Sequence, residues 1–343
     1  MIGLTKNSKV YVVCPAKVAT GGPELLHQLV HKLNLLGVAA QMVYLDEKTF
    51  TRSKSISALR TFSDPIHPLY QKYNTNHTDL YAIEDDRDNV IITPETHSGV
   101  VYMFKKMRRV IWWLSVDNFF IKQQEKKYKV KQFFFLNKPY NFPSGNDEVY
   151  HLAQSYYAVD FLKNKGVDKD QIGYVSDFLN STFLASTDEL NTDDRRKDVI
   201  LYNPKKGYDI TAKLMDLLPN VEWTPLINLS PQEVKELLIS SKVYVDFGNH
   251  PGKDRFPREA AICGCCVITG KRGSANFKKD VFIPEKYKFE NPVEQIESFT
   301  NTIENCFLNY DRAIEDFKEY RMRIMQEETQ FVKDIKTIFE INL

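Results

Sequence analysis

Apolar residues along the chain fall in short runs, each followed by a polar or glycine-bearing turn and then by a segment of helical spacing. The run "KVYVVCPA" is β-branched and aromatic and closes on a proline, which predicts a buried strand. Thr20-Gly21-Gly22-Pro23 makes a turn. Leu25, Leu26, Leu29, Val30, Leu33 and Leu36 then recur at helical spacing until Gly37 stops the helix. "VAAQMVYL" reads as a second strand. Strand, glycine turn, helix and strand form one βαβ unit, the seed of a doubly wound parallel sheet.

The alternation continues through "NVIITPETHSG" and "RRVIWWLSVD", both read as strands, and "EVYHLAQSYYAVDFLKNKG", a short strand that becomes a helix. It pauses at the charged stretch "STDELNTDDRRKD" and resumes with strands at "VILYNP", "VEWTPLI", "VYVDFG" and "CCVIT", separated by helical segments. The fold class is therefore α/β, with two Rossmann-like domains expected over residues 1–185 and 195–320. From Pro292 the chain is helical and amphipathic, and its last helix, about 322–343, is expected to pack back on the first domain. Two such domains facing each other imply a cleft where the carboxyl ends of both sheets meet.

A composition of 43% hydrophobic and 27% charged residues is that of a soluble globular protein. Forty-six basic against 45 acidic residues leave no global field for nucleic acid, so any electrostatic task belongs to local patches. No run reaches the roughly 18 apolar residues of a membrane span, and the first apolar run is too short for a signal peptide; a cytoplasmic protein is expected. Of five cysteines, three crowd into "CGCC" (Cys263, Cys265, Cys266) with no second paired hook, which favours buried thiols over a zinc site.

The chemistry concentrates in "NHPGKDRFPREAAICGCCVIT", residues 249–269. Pro257 suits a first helical turn, where its missing N–H costs nothing. Free backbone N–H groups at Phe256–Arg258 and the helix dipole would make an anion site suited to phosphate, with Lys253, Arg255 and Arg258 adding positive charge. Glu259, in the same turn, either complements the dipole or grips a ribose diol with two hydrogen bonds.

The stretch "VYVDFGNHPGKDRFPREAAICGCCVI" resembles the signature of GT-B glycosyltransferases of the retaining family four group, in which a strand leads to a Glu-Gly loop and a second Glu opens the next helix. Glu259 to Ile268 match the second half without gaps, while Pro251-Gly252 stand where the family has Glu-Gly, so the first glutamate is missing. Neither Asp246 nor Asp254 is in register to replace it. "LYNPKKGYD" looks like the family's Lys-Gly loop, which makes Lys206 the expected phosphate contact and Lys205 its neighbour. The resemblance also implies donor contacts from Gly273 and Ser274 in "ITGKRGSANF", and from Gly22 in the first glycine turn, unless that turn only starts a helix. Family members often carry a histidine after a middle strand of the first domain; here that strand offers Ser115 and Asp117, and the neighbouring one ends near His97. Asp117 either serves catalysis or caps the next turn, and His97 is either catalytic or structural.

"FFIKQQEKKYKVKQFFFLNKPYNF", residues 119–142, mixes six lysines with Phe and Tyr. It suits an anionic membrane surface or a lipid-diphosphate acceptor; the plainer alternative is a lysine-decorated helix over an aromatic cluster. Together these features imply a sugar transferase using a nucleotide-diphosphate sugar and a glycan or lipid-linked acceptor, in cell-surface polysaccharide assembly. The resemblance implies retention of configuration, no cofactor and no metal. A nucleotide-sugar epimerase or phosphorylase and a non-catalytic nucleotide- or glycan-binding protein are the alternatives. A dehydrogenase is disfavoured, because "ATGGPE" is not a G-x-G-x-x-G run.

Overall fold

The computed structural model describes residues 1–46, 65–124, 139–142, 148–184 and 196–341. By the density of its internal contacts the chain separates into two units, Met1–Asp177 with Thr329–Leu343, and Phe178–Glu328. The charged stretch at 185–195 and most of the lysine-rich segment, residues 125–138, lie outside the described residues.

The first unit is a sheet of seven parallel strands: β1 (Lys9–Pro15), β2 (Ala39–Leu45), β3 (His77–Thr78), β4 (Val90–Pro94), β5 (Arg108–Trp113), β6 (Val149–Ala153) and β7 (Ile172–Tyr174), in the order β3-β2-β1-β4-β5-β6-β7. The direction of growth reverses between β1 and β4. Its helices are α1 (Gly21–Leu35), α2 (Val116–Gln124) and α3 (Tyr156–Asn164). α1 buries Leu25, Leu26, Leu29, Val30 and Leu33, the face its periodicity predicts, and the chain turns out of it at Gly37 with φ +77°. β5 differs from its predicted extent: it stops at Trp113, and Val116 already opens α2. Trp112 and Trp113 are fully buried. Their indole N–H groups donate to the Val175 carbonyl at 3.1 Å and to His151 Nδ1 at 3.0 Å, which is what allows two polar-tipped rings into the core.

The second unit carries α4 (Ser181–Leu184), β8 (Lys197–Tyr202), α5 (Tyr208–Leu217), β9 (Glu222–Pro225), α6 (Pro231–Ser240), β10 (Ser241–Asp246), α7 (Phe256–Ile262), β11 (Cys266–Gly270) and β12 (Lys288–Phe289), followed by α8 (Ile296–Leu308), α9 (Tyr310–Glu315) and α10 (Lys318–Met325). Its five parallel strands run in the order β12-β11-β10-β8-β9, with the reversal between β8 and β10. Every residue of β10 is buried, as a central parallel strand covered on both faces requires. The five cysteines are buried free thiols; those at 263, 265 and 266 fill the same core as β10.

Helix α11 (Glu327–Phe339) begins in the second unit and continues into the first. There the Ile2 and Leu4 amides donate to the carbonyls of Ile338 and Phe339 at 2.8 and 3.0 Å.

Candidate functional site

In open α/β sheets, ligands bind beyond the carboxyl ends of the strands at the point where strand order reverses. In the second unit that point lies between the loops that follow β8 and β10. The loop after β8 turns at Asn203, whose side chain accepts from the Lys205 amide at 3.0 Å, and it ends on Gly207 at φ +62°. A Cβ on Gly207 would stand 2.5 Å from the Gly248 amide nitrogen, so only glycine lets these two backbones meet. On the other side the loop after β10 is tied to the loop after β11. The Ser274 amide donates to the His250 carbonyl at 2.8 Å and the Ser274 hydroxyl to the Gly252 carbonyl at 2.6 Å. Gly273, at φ +59°, lies so close to that His250 carbonyl that any Cβ would collide with it.

These ties bring Lys206 up to three titratable side chains, Asp246, His250 and Asp254, that lie some forty or more residues further along the chain. Asp246, at the end of β10, is buried; it accepts from the Tyr244 hydroxyl at 3.1 Å and from the Gly248 amide at 3.0 Å. The His250 ring, with no exposed surface, sits between two carboxylates, Nε2 3.4 Å from Asp246 and Nδ1 3.3 Å from Asp254. The Lys206 ammonium closes the series, 2.5 Å from Asp254. Burial alone would lower the His250 pKa, but the charges of Asp246 and Asp254 outweigh it and the net shift is upward. Burial likewise pushes Asp246 up, and His250 with Lys206 pulls it down further, leaving it below the usual carboxylate range. Asp246, His250 and Asp254 are the one group among the described residues with spacing suited to a cation, their ligand atoms lying within 4.8 Å of one another.

The expected donor residues divide into an open and an enclosed set. Lys205 is exposed and the Lys206 side chain is one-third exposed. Arg258 is fully buried: its guanidinium meets Glu327 at 2.8 Å and the carbonyls of Lys253 and Asp254 at 3.2 and 3.3 Å, so it anchors the loop from inside. Lys253 shares that anchor, donating to Glu327 at 2.8 Å. Ser274 spends its hydroxyl and amide on the loop ties above. The ring of Phe256 packs against Tyr244, with centroids 6.1 Å apart. Arg255 precedes the helix in αR conformation, and its carbonyl accepts from the amides of Arg258 and Glu259 at 2.9 and 2.8 Å. The amide of Arg258, expected to face a phosphate, is thus already satisfied, and seven-residue α7 offers a weaker anion site than its sequence implies. Glu259 is buried in the first turn of α7.

In the first unit the loops after β1, β4 and β5 gather in the same way. Gly22 opens α1, where a Cβ would meet only the Leu114 side chain at an ordinary 3.5 Å, so glycine is not sterically required there. His97 does not end a strand. It lies in a 3₁₀ stretch, Glu95–Met103, is buried, and has Nδ1 3.1 Å from the Thr96 hydroxyl. Asp117 lies in the first turn of α2 and accepts from the Tyr157 hydroxyl at 2.8 Å. Burial and the hydrogen bond to Asp117 raise the Tyr157 pKa. The aromatic ends of the lysine-rich segment, Phe119 and Tyr140, are buried beside Trp113.

Two residues central to this geometry escaped sequence reasoning. His250 is one, although D-x3-H-x3-D is visible in "DFGNHPGKD"; the other is Glu95, a buried carboxylate that accepts from the Leu114 amide at 3.0 Å and links the loops after β4 and β5.

No protein-family model matches the sequence, and no curated protein matches it either. Solved structures do. HepE of Anabaena, solved with UDP-glucose, superposes with a TM-score of 0.56 at 11% identity, over 96% of this chain and 99% of that one. The chain has the GT-B fold. Other GT-B matches include the pneumococcal O-GlcNAc transferase GtfA, solved with UDP and GlcNAc, at TM-score 0.57 and 10% identity over 97% and 98% of the two chains. WaaG, a glycosyltransferase involved in lipopolysaccharide biosynthesis, matches at 0.53 and 12% over 94% and 98%. Sequence identity this low is the reason the GT-B likeness is carried by strand order and loop placement rather than by residue matches.

Proposed function

We propose that this GT-B chain is a glycosyltransferase that moves a hexose-type unit from a nucleotide-diphosphate sugar to a glycan or lipid-linked acceptor, in the assembly of a cell-surface polysaccharide. The observation that carries the reading is the Lys206 ammonium, presented at the strand-order switch point of the second unit. In the transfer, the bond from the anomeric carbon to the diphosphate breaks and one from that carbon to an acceptor oxygen forms, while the acceptor loses a proton. Negative charge grows on the departing diphosphate, and a fixed cation beside it lowers the barrier. Lys206 takes that task with its neighbour Lys205 and with Arg255 of the loop after β10, and Glu259 grips the ribose. The reading is metal-independent and retaining. Asp117, in the first turn of α2, is the acceptor-side carboxylate; His97 is enclosed within the stretch after β4. HepE and GtfA, solved with UDP and sugars, support a nucleotide-sugar donor, and WaaG supports a surface-glycan setting.

A thermal-shift panel of UDP, GDP, dTDP and their sugars tests this. One nucleotide family should raise the melting temperature; the shift should shrink in Lys206→Ala and vanish in Glu259→Ala. A flat response to every nucleotide would overturn the proposal. One observation favours a second reading, a nucleotide-binding protein without transfer: Pro251-Gly252 offers no carboxylate for a donor sugar. Nucleotide binding without sugar turnover against any acceptor would select it.

A further inference from the structure

The sequence points Lys253 and Arg258 at a diphosphate, yet both turn onto one carboxylate that comes from neither the loop after β10 nor α7. Glu327, the first residue of α11, accepts from the Lys253 ammonium on Oε1 and from the Arg258 guanidinium on Oε2, each at 2.8 Å. The three side chains are withdrawn from water: that of Arg258 has no exposed surface, and those of Lys253 and Glu327 are each 10% exposed. Charge-assisted bonds so enclosed hold their geometry, because little water is at hand to replace or screen a partner. The clamp reaches further through Arg258. Its guanidinium also donates to the carbonyls of Lys253 and Asp254, at 3.2 and 3.3 Å, and the Asp254 carboxylate meets the Lys206 ammonium. A continuous series of bonds thus runs from the first turn of α11, through Arg258 and Asp254, to the lysine at the switch point.

We infer, on the reading of the second unit's switch point as a nucleotide-diphosphate site, that Glu327 is a positioning residue for that site: from the start of α11 it fixes residues 253–258 and, through them, the Lys206 ammonium. Glu327 itself touches no nucleotide. Its place at a helix N-terminus favours the negative charge that the clamp needs. Without that charge, the buried Arg258 guanidinium and Lys253 have one carboxylate fewer, which is costly away from water. The loop between β10 and α7 must take up the change, because the residues of β10 and those of α7 from Pro257 onward are buried in the core. Linkage supplies the converse. A clamp that favours nucleotide binding is itself favoured by bound nucleotide, by the same factor. Occupation of the switch point therefore steadies the first turns of α11, although their residues lie about 70 positions beyond the loop.

The test is calorimetric titration of the full chain with UDP, GDP and dTDP in parallel, for wild type, E327Q, K253M and the double variant, well below the melting temperature of each. E327Q and K253M should each bind the preferred nucleotide roughly fivefold more weakly than wild type. Both break one clamp, so the double variant should bind no more weakly than the weaker single variant. Losses that multiply in the double variant overturn the inference, because Lys253 then meets the nucleotide directly. An E327Q that melts lower but binds as tightly as wild type also overturns it, since Glu327 is then only an anchor for the fold, and the nucleotide reading stands. Should E327Q fail to fold, hydrogen exchange on wild type decides alone. The amides of Phe331 to Asp334 bond to the carbonyls of the first turn of α11, and saturating nucleotide should slow their exchange severalfold. Unchanged exchange there, with nucleotide bound, overturns the inference and again leaves the nucleotide reading intact. Absence of binding by wild type to all three nucleotides removes both.

Discussion

At the scale of single residues, the four charges behind Gly248 make stability depend on pH in a way that can be signed. His250 is raised above its ordinary value, so its stabilising contribution is complete below that value and is lost as pH rises through the folded-state value. Asp246 is lowered, so its contribution is present above the ordinary carboxylate value and lost as pH falls through the folded-state one. Lys288 works against the first trend. Burial lowers its pKa to about 8, so stability gains as pH rises from there toward its unfolded value. The difference between wild type and H250Q isolates the histidine: the melting-temperature gap should be widest in mild acid and narrow with increasing pH. The Lys206-Gly207 turn after β8 was legible in the sequence as a strand-to-helix loop that needs its glycine. The inward turn of Arg258 was not, because its partner, Glu327, lies 69 residues further on and nothing near Arg258 announces it.

Elements were legible where burial covers both faces of a strand. The uninterrupted runs of β1, β8 and β10 gave them away, and the spacing of Leu25 to Leu33 gave α1. The short strands β3, β7 and β12 were not. His77–Thr78, Ile172–Tyr174 and Lys288–Phe289 are too brief to carry a period and form only because a neighbouring strand offers its edge. Asp246, His250 and Asp254 follow one another at four-residue intervals, which mimics a helix face, yet Asp246 ends β10 and the other two lie on the loop after it. Gly273→Ala tests how firmly that loop is held. The new methyl group meets the His250 carbonyl at a positive φ, so the two loops must part. A loss of about 2 to 4 kcal/mol in urea unfolding is expected, with weakened nucleotide binding.

For the whole molecule, the two Rossmann-like units were legible from the twice-repeated alternation of strand and helix, whereas the way the last helix serves both units was only partly so. Phe331, Ile335, Ile338 and Phe339 are buried, and the backbone of Ile338 and Phe339 is bonded to Ile2 and Leu4. Removing residues 329–343 should therefore damage the first unit selectively. Limited proteolysis should cut the truncated chain within residues 1–177 while a fragment around 178–328 persists; equal protection of both units would contradict this.

The two N-terminal amides on the last helix also bear on how the chain is made. Residues 178–328 are contiguous, but the first unit is finished only by residues 329–343. On the ribosome, where domains ordinarily fold in the order they emerge, the second unit is complete in sequence while the first still lacks its closing segment. The part synthesised first is thus the last to have all its residues, and it must wait with an unfilled seam until the final helix emerges.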